Sequence, residues 1–345
     1  MNAGTLFAAF FCAFFFGILL MGPFIRWMRN RRLEQVFRPK SEVRMLADLH
    51  SGKEHTPTMG GIVFVSGTVF FSIIFAEHNL SLWVSLGTFL SFAILGICDD
   101  MRKIVLRNSR GLSKRTKFLF QALICGGVLT SIAWNAPDYF SRLHELWIPL
   151  MRAPLWPSLP PVLLFGFLFL IISGASNAVN LTDGLDGLAT ICGIIASLTL
   201  TVIIASGANH PTHLPIDPQP LAVILASLSG ALLAFLWCNT NPARIFMGDT
   251  GSLAIGGLLG IVAFLILQPF ILVIVGGVFA LEAVSVILQI YFFKFTRGRR
   301  IFRMAPLHHH FEISGWKEQQ IVMRFGILST LCAIGGIILS RSFPL

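Results

Sequence analysis

Four polar side chains lie within ten residues of an otherwise apolar stretch, NAVNLTDGLDGLAT. They are Asn177, Asn180, Asp183 and Asp186, and no Lys or Arg lies near them. Asn and Asp offer hard oxygen ligands that suit Mg²⁺, and their donors and acceptors also suit the edge of a uracil-like base. Asp183 alone is explained equally well as the cap of a following helix. Because capping accounts for only one residue of the four, the pattern favours a site that binds a metal ion or a nucleotide.

Two adjacent carboxylates, Asp99 and Asp100, close another apolar stretch and precede Arg102 and Lys103. We expect the helix to end at this pair. Carboxylates at a helix C-terminus oppose the helix dipole, which favours cations there. A metal ion or a strongly basic partner would remove the conflict, so the pair is a candidate functional site.

A third candidate is Asp249 in the stretch CNTNPARIFMGDTGSLA, residues 238–254. It precedes a helix start that contains Gly and Ser. Free backbone N–H groups at such a start can hold phosphate. The stretch therefore predicts an acid beside a phosphate-binding helix terminus.

The stretch SGKEHTPTMGG, residues 51–61, carries Lys53 and a Thr-Pro-Thr turn before a pair of glycines. It is not a P-loop, because Ala47 and Glu54 stand where that motif needs Gly and Ser or Thr. The alternative is a capped helix start with Pro57 in the first turn. The residues alone leave both interpretations open.

Three consecutive histidines, His308, His309 and His310, lie in the stretch APLHHHFE. Adjacent residues rarely present all three ligands to one zinc ion. Contact with phosphate or structural hydrogen bonding is favoured instead.

Glu282 stands near the middle of an apolar stretch, with Ser285 and Gln289 three and seven residues further on. An ionisable residue within the membrane indicates a functional site by default. A polar stripe that packs against another span is the alternative, and the sequence does not decide between them.

The elements that must position these residues are membrane spans. Of the 345 residues, 55% are hydrophobic and 12% charged, and the mean hydropathy is +0.77, whereas soluble domains carry about 25% charged residues. The sequence predicts an all-α integral membrane protein with a single domain over 1–345. The first span is expected to be retained, since no basic segment of a signal peptide precedes it. Ten spans are predicted, at roughly 3–25, 57–77, 79–98, 118–136, 159–177, 186–206, 220–238, 250–267, 269–293 and 320–340.

Alternate loops differ in charge. Eight Lys and Arg residues lie in 26–56, seven in 99–117 and six in 294–318, but none in 206–219. The positive-inside rule therefore places the basic loops in the cytoplasm and both termini outside. All the candidate polar clusters then share the cytoplasmic face. The net charge of +10 is explained by this orientation and by attraction to anionic head groups, so nucleic acid is not an expected partner. The six cysteines are expected to be reduced and apolar in role.

Together these stretches resemble the phospho-N-acetylmuramoyl-pentapeptide transferases, within the polyprenyl-phosphate N-acetylhexosamine-1-phosphate transferases. The Asp-Asp pair, NAVNLTDGLDGLA and MGDTGS resemble the wider superfamily, whereas TPTMGG and PLHHHFE resemble this family in particular. The likeness extends over nearly the whole chain. One departure is His55, where many members have Gly.

The resemblance implies an Mg²⁺-dependent enzyme with ten spans in the bacterial cytoplasmic (inner) membrane, and a homodimer. It would transfer phospho-MurNAc-pentapeptide from UDP-MurNAc-pentapeptide to undecaprenyl phosphate, giving lipid I and UMP. Transfer between two phosphates needs charge neutralisation and positioned donors more than covalent chemistry. A lipid-borne acceptor requires a site at the membrane surface.

The resemblance also implies residue roles. Asp249 and Asn180 would be metal ligands, and Asp99 and Asp100 would lie at the lipid-phosphate end. Catalytic roles are implied for Asp99, Asp100, Asp249 and His308. Substrate contacts are implied for Lys53, Asn180, Asp183, Asp186, Asn239, Phe246, His309 and His310, with Phe246 stacking on uracil.

Two other functions fit parts of the pattern. One is a transferase that uses another UDP-hexosamine. The other is a transporter or channel, but transporters place polar groups near the midplane, often in repeated halves. Here the acids are predicted at one face and no repeat is visible.

Overall fold

The computed structural model describes residues 2–31, 33, 56–107, 111–148, 150–151, 153–207 and 217–340. Within these ranges the regular structure is helical, apart from one isolated antiparallel bridge between Leu146 and Trp156. The helices are α1 (Ala3–Asn30), α2 (Gly61–Phe75), α3 (Leu80–Val105), α4 (Lys114–Asn135), α5 (Pro137–Leu143), α6 (Pro161–Thr182), α7 (Leu188–Ala205), α8 (Gln219–Asn239), α9 (Gly248–Leu265), α10 (Pro269–Val275), α11 (Gly277–Phe295), α12 (Leu307–Ile313) and α13 (Glu318–Ser340).

Nine helices in the described part of the chain are long and apolar enough to cross a membrane, which confirms the prediction of an all-α, multi-pass membrane protein. They are α1, α3, α4, α6, α7, α8, α9, α11 and α13. The remaining predicted span, 57–77, contains α2, whose 15 residues are fewer than the ~20 that a full crossing needs. The predicted span 269–293 is divided into α10 and α11 at Gly276 and Gly277, because consecutive glycines weaken a helix.

The end of α3 differs from the prediction. The helix continues to Val105, so Asp99 and Asp100 lie inside it and not at its C-terminus. Lys103 lies 2.7 Å from Asp99 one turn earlier, and basic residues in a last turn favour helix continuation. The predicted conflict between these carboxylates and the helix dipole was the argument for a functional site at the pair. That argument was wrong, because the pair does not lie at the helix C-terminus.

Two helices, α8 and α9, form the interior of the bundle. The apolar windows of α8 and α9 are 83% and 89% buried, the highest values among the candidate spans. Helix α9 packs against α3 and α6, and α8 packs against α1 and α7. The contact between α3 and α9 is so close that a side chain at Gly96 would overlap the backbone of Asp249. This approach brings residues of α3 to the start of α9.

The bundle has two chemically different ends. At one end, Asn79 and Ser81 donate hydrogen bonds to the Asp217 carbonyl, and the Tyr139 hydroxyl donates to the Leu265 carbonyl. At the other end, the last turns of α3 and α6 meet the first turns of α4 and α9. The acidic candidate residues gather at that second end.

Candidate active site

The first turn of α9 is held by a carboxylate from α3. Asp100 is buried and accepts hydrogen bonds from the N–H groups of Asp249 (3.2 Å) and Thr250 (2.9 Å), and from the Thr250 hydroxyl (2.8 Å). A helix begins with N–H groups that lack partners within the helix, and a negative charge also suits that end. Asp100 therefore fixes the backbone of Asp249. These two N–H groups are not free to hold phosphate, so that prediction was wrong for them.

Two lysines bridge the carboxylates of Asp99 and Asp249. Lys103 Nζ lies 2.7 Å from Asp99 Oδ2 and 3.0 Å from Asp249 Oδ1. Lys117 Nζ lies 3.1 Å from Asp99 Oδ1 and 2.6 Å from Asp249 Oδ2. Asp99 is fully buried and also accepts from the Leu112 N–H (2.6 Å). Neighbouring buried carboxylates repel unless cations compensate them, and the lysines supply that charge.

The carboxylates of Asp99, Asp100 and Asp249 present oxygen atoms that lie within 4.8 Å of one another. Hard carboxylate oxygens are the ligands that Mg²⁺ prefers, so the donor set fits such an ion. The ammonium groups of Lys103 and Lys117 lie among these oxygens on side chains that are 27% and 22% exposed.

Sequence reasoning assigned no role to Lys103 or Lys117. The sequence nevertheless contained an indication of a role for each lysine. Lys103 follows Asp99 by four residues, the spacing of an ion pair on a helix. Lys117 lies in the first turn of α4, where a cation opposes the helix dipole. Its two carboxylate contacts explain that placement.

The stretch NAVNLTDGLDGLAT, which begins at Asn177, contains the end of α6 and the turn that follows it. Asn180, in the last turn of α6, donates from its amide nitrogen to Asp249 Oδ1 (3.1 Å) and Ser252 Oγ (2.9 Å). It thus contacts Asp249, and its role as a metal ligand through its oxygen stays a prediction. Asn177 instead donates to the Ser173 carbonyl of its own helix (2.7 Å).

Asp183 follows the last residue of α6 as its C-terminal cap, so it does not cap the next helix, which begins at Leu188. Asp183 and Asp186 lie in the intervening turn. Burial, together with the charges of Asp249 and Asp100, raises the pKa of the Asp183 carboxyl well above its ordinary value. Asp183 is therefore coupled electrostatically to the carboxylate cluster.

Asp186 and Asn239 tie neighbouring loops together. Asp186 accepts from the Ala243 N–H (3.0 Å) and the Asn241 amide (3.1 Å). Asn239 is buried, accepts from the Gly187 N–H (3.1 Å), and donates to the Ile245 carbonyl (3.0 Å). These contacts position the turn and the loop before α9. Direct contact of either side chain with substrate stays a prediction.

Phe246 lies in the loop that Asn239 holds. Its N–H donates to the Pro57 carbonyl, and its carbonyl accepts from the Gly60 N–H, each at 2.8 Å. The ring is half-buried, and stacking on a base stays a prediction. Lys53 and His55 lie outside the described residues.

The three histidines make three different contacts. His308 is fully buried, and its backbone N–H donates a hydrogen bond to Glu282 Oε1 (3.2 Å). His309 Nδ1 lies 3.0 Å from Glu312 Oε2. His310 Nδ1 accepts from the Arg303 N–H (3.1 Å). These contacts direct each histidine to a different partner.

Two polar residues of α11 form hydrogen bonds with the start of α12 and with the segment that precedes it. Glu282 bonds to His308, whereas Gln289 accepts from the N–H groups of Ile301 (3.1 Å) and Phe302 (3.0 Å). Glu282 and Gln289 therefore contact the segment 301–308, while α11 also packs against the spans α6 and α13.

Comparison with known proteins matches two family models. Residues 82–267 match glycosyl transferase family 4, and residues 53–65 match signature 1 of phospho-N-acetylmuramoyl-pentapeptide-transferase. The first match contains both aspartates of the Asp-Asp pair, the opening stretch and Asp249. The signature covers the segment that begins at Lys53.

Relatives named phospho-N-acetylmuramoyl-pentapeptide-transferase align with most of the chain. The protein from Wolinella succinogenes is 42% identical over 95% of this chain and 91% of its own. The one from Opitutus terrae is 43% identical over 83% and 80%. The one from Thermodesulfovibrio yellowstonii is 38% identical over 94% and 90%. This chain therefore belongs to the phospho-N-acetylmuramoyl-pentapeptide-transferase family, within glycosyl transferase family 4.

Proposed function

We propose that this protein transfers phospho-MurNAc-pentapeptide from UDP-MurNAc-pentapeptide to undecaprenyl phosphate. The products are lipid I and UMP, and the reaction is the first membrane step of peptidoglycan synthesis. The observation that carries the proposal is the cluster of Asp99, Asp100 and Asp249 bridged by Lys103 and Lys117. Acids and cations at one end of a membrane bundle suit a reaction between a charged nucleotide and a lipid phosphate. Family membership names the substrates.

Catalysis of phosphoryl transfer consists mainly of positioning the reactants and stabilising their charge. Each residue of the cluster contributes to one of these two tasks. Asp249 and its neighbouring carboxylates would hold Mg²⁺, which would supply positive charge to the phosphate groups. Lys103 and Lys117 are partly exposed and contact the phosphate oxygens as these displace the carboxylates. Asn180 keeps Asp249 oriented, and Asp100 holds the helix start on which Asp249 stands.

The remaining residues surround the two substrates. Asp99 faces the lipid phosphate, and Phe246 lies against the uracil. Asp183 and His308 lie toward the sugar phosphate. Nucleotide or sugar-peptide contacts are further assigned to Lys53, Asn239, Asp186, His309 and His310.

The activity is tested by measuring UMP release from UDP-MurNAc-pentapeptide with undecaprenyl phosphate and Mg²⁺. We expect release only when both substrates and the metal are present. UDP-N-acetylglucosamine serves as the matched control donor, because it carries the same nucleotide on another hexosamine. Faster release from the control donor would contradict the assignment, and release from neither donor would favour a transport function.

We further propose that the site faces the cytoplasm, that both termini lie outside, and that the protein is a homodimer in the bacterial inner membrane. Because basic residues mark alternate loops, a reporter inserted in 99–117 or 294–318 should report the cytoplasm, and one in 207–219 the outside. Reporter activity measured in intact cells checks this arrangement. An external location for the 183–187 turn would contradict the site assignment, because UDP-sugars are cytoplasmic.

A further inference from the structure

Glu282 is a fully buried acid in the membrane-spanning helix α11. Its Oε1 atom accepts a hydrogen bond from the His308 N–H (3.2 Å) and lies 3.3 Å from Nδ1 of the His308 ring. Across the described residues, His308 is the only ion-pair partner of this carboxylate. The ring of His308 is itself almost fully buried, with a side-chain exposure of 1%. Acid and imidazole thus form an enclosed pair.

Packing alone does not account for Glu282. An ionisable side chain inside a membrane-spanning helix is costly, and an apolar residue of the same size would fill the space at lower cost. The acid is therefore best explained by the group that it contacts. Ser285 on the same helix offers a contrast, because its hydroxyl donates to the Glu282 carbonyl of its own helix (2.7 Å).

The opposite edge of the His308 ring faces the turn of the candidate active site. A side chain at Gly184 would overlap Nε2 of His308, so ring and turn are in direct contact. Gly184 follows Asp183, which is coupled to the carboxylate cluster. Neither ring nitrogen makes a hydrogen bond among the described residues; Nδ1 lies at ion-pair distance from Glu282, whereas Nε2 faces the turn. The ring therefore lies between Glu282 on one side and the site on the other.

We propose that Glu282 is a positioning residue that sets the orientation and the tautomer of His308. A carboxylate beside Nδ1 keeps the proton on Nδ1 and leaves the lone pair on Nε2. Nε2 then faces the Asp183–Gly184 turn as a hydrogen-bond acceptor for a substrate hydroxyl or a bound water. The expected effect on kcat rests on the proposed transferase function. The assignment of the His308 tautomer is independent of that function.

The kinetic test compares Glu282→Met with Glu282→Gln. Methionine fills the volume but cannot accept the two contacts, so we expect kcat to fall about 10- to 100-fold, the range for losing a residue that orients a ligand. Thermal stability should be unchanged or higher, because a buried charge has been removed. Glutamine keeps an oxygen acceptor and should restore most of kcat. Ser285→Ala is the matched control and should behave as wild type.

A double variant shows whether Glu282 acts through His308. With His308→Ala already present, adding Glu282→Met should cause no further loss, because residues that act as a unit are not additive. A further loss equal to that of Glu282→Met alone would overturn the proposal. Wild-type kcat in the Met variant would do the same.

Nitrogen-15 NMR of histidine-labelled protein reads the tautomer without any substrate. The signal that His308→Ala removes should show a proton on Nδ1 in the wild type and lose that pattern in Glu282→Met. Identical His308 signals in both proteins would overturn the inference even if the enzyme is active. If the chain releases no UMP, the proposed function fails, and the NMR comparison still decides the role of Glu282.

Discussion

Replacing Asp249 with Asn should lower the turnover number for UMP release at least ~100-fold, as expected for losing a strong electrostatic contact in a site. Asn keeps the size of the side chain but removes the charge. In the structure that charge is shared by Lys103 at 3.0 Å and Lys117 at 2.6 Å, and it contributes to the candidate metal cluster. The measurement is turnover as a function of Mg²⁺ concentration.

Two controls accompany the Asp249 variant. Binding of UDP-MurNAc-pentapeptide measured without Mg²⁺ should change little, because the loss is assigned to the metal-dependent step. Asp138→Asn changes an exposed acid in the first turn of α5 and should leave turnover unchanged. Near-normal turnover of the Asp249 variant at low Mg²⁺ would show that Asp249 is not a metal ligand.

Replacing Asp99 with Asn should also cause a deep loss of activity, about 100-fold, because charged contacts in an active site have effects of that order. Asp99 is fully buried, forms ion pairs with Lys103 (2.7 Å) and Lys117 (3.1 Å), and accepts a hydrogen bond from the Leu112 N–H (2.6 Å). With its oxygens engaged in this way, Asp99 holds the lysines in place. The variant would remove the charge that pairs with both lysines on one side and leave them held by Asp249 alone.

The pH–rate profile separates this positioning role from general-base catalysis by Asp99. A phosphate monoester has a second pKa near ~6, so the lipid acceptor is mostly dianionic at pH 7. A base then gains at most about tenfold, or roughly 1.4 kcal/mol. We expect the loss in Asp99→Asn to stay constant as the pH rises. Steep recovery of activity at high pH would instead assign the base role to Asp99.

Much of the architecture could be predicted because membrane insertion is decided locally. Apolar runs of sufficient length predicted the helices, and all ten predicted spans contain helical residues. The polar stretches were likewise visible in the sequence, since Asn and Asp are conspicuous between apolar spans. The end of α3 was predicted too early, because hydropathy marks where the apolar run stops and not where hydrogen bonding stops.

The relations among the polar residues were decided by the tertiary structure. Asp100 and Thr250 are 150 positions apart, and they meet because Gly96 lets α3 approach α9. Lys103 and Lys117 looked like orientation signals, since their charge marks a basic loop. Their role became visible only when helix packing placed their ammonium groups between Asp99 and Asp249.

The same division applies to Asn239 and Glu282. From the sequence Asn239 was a candidate for the nucleotide, and only the fold shows that its amide also contacts Gly187 and Ile245. Glu282 was ambiguous until the fold placed His308 beside it. Composition and hydropathy by themselves determined that the chain is a helical membrane protein with acids between its spans. Tertiary structure decided which acid meets which cation, because hydrogen bonds and ion pairs depend on distances of a few ångströms between segments far apart in the chain.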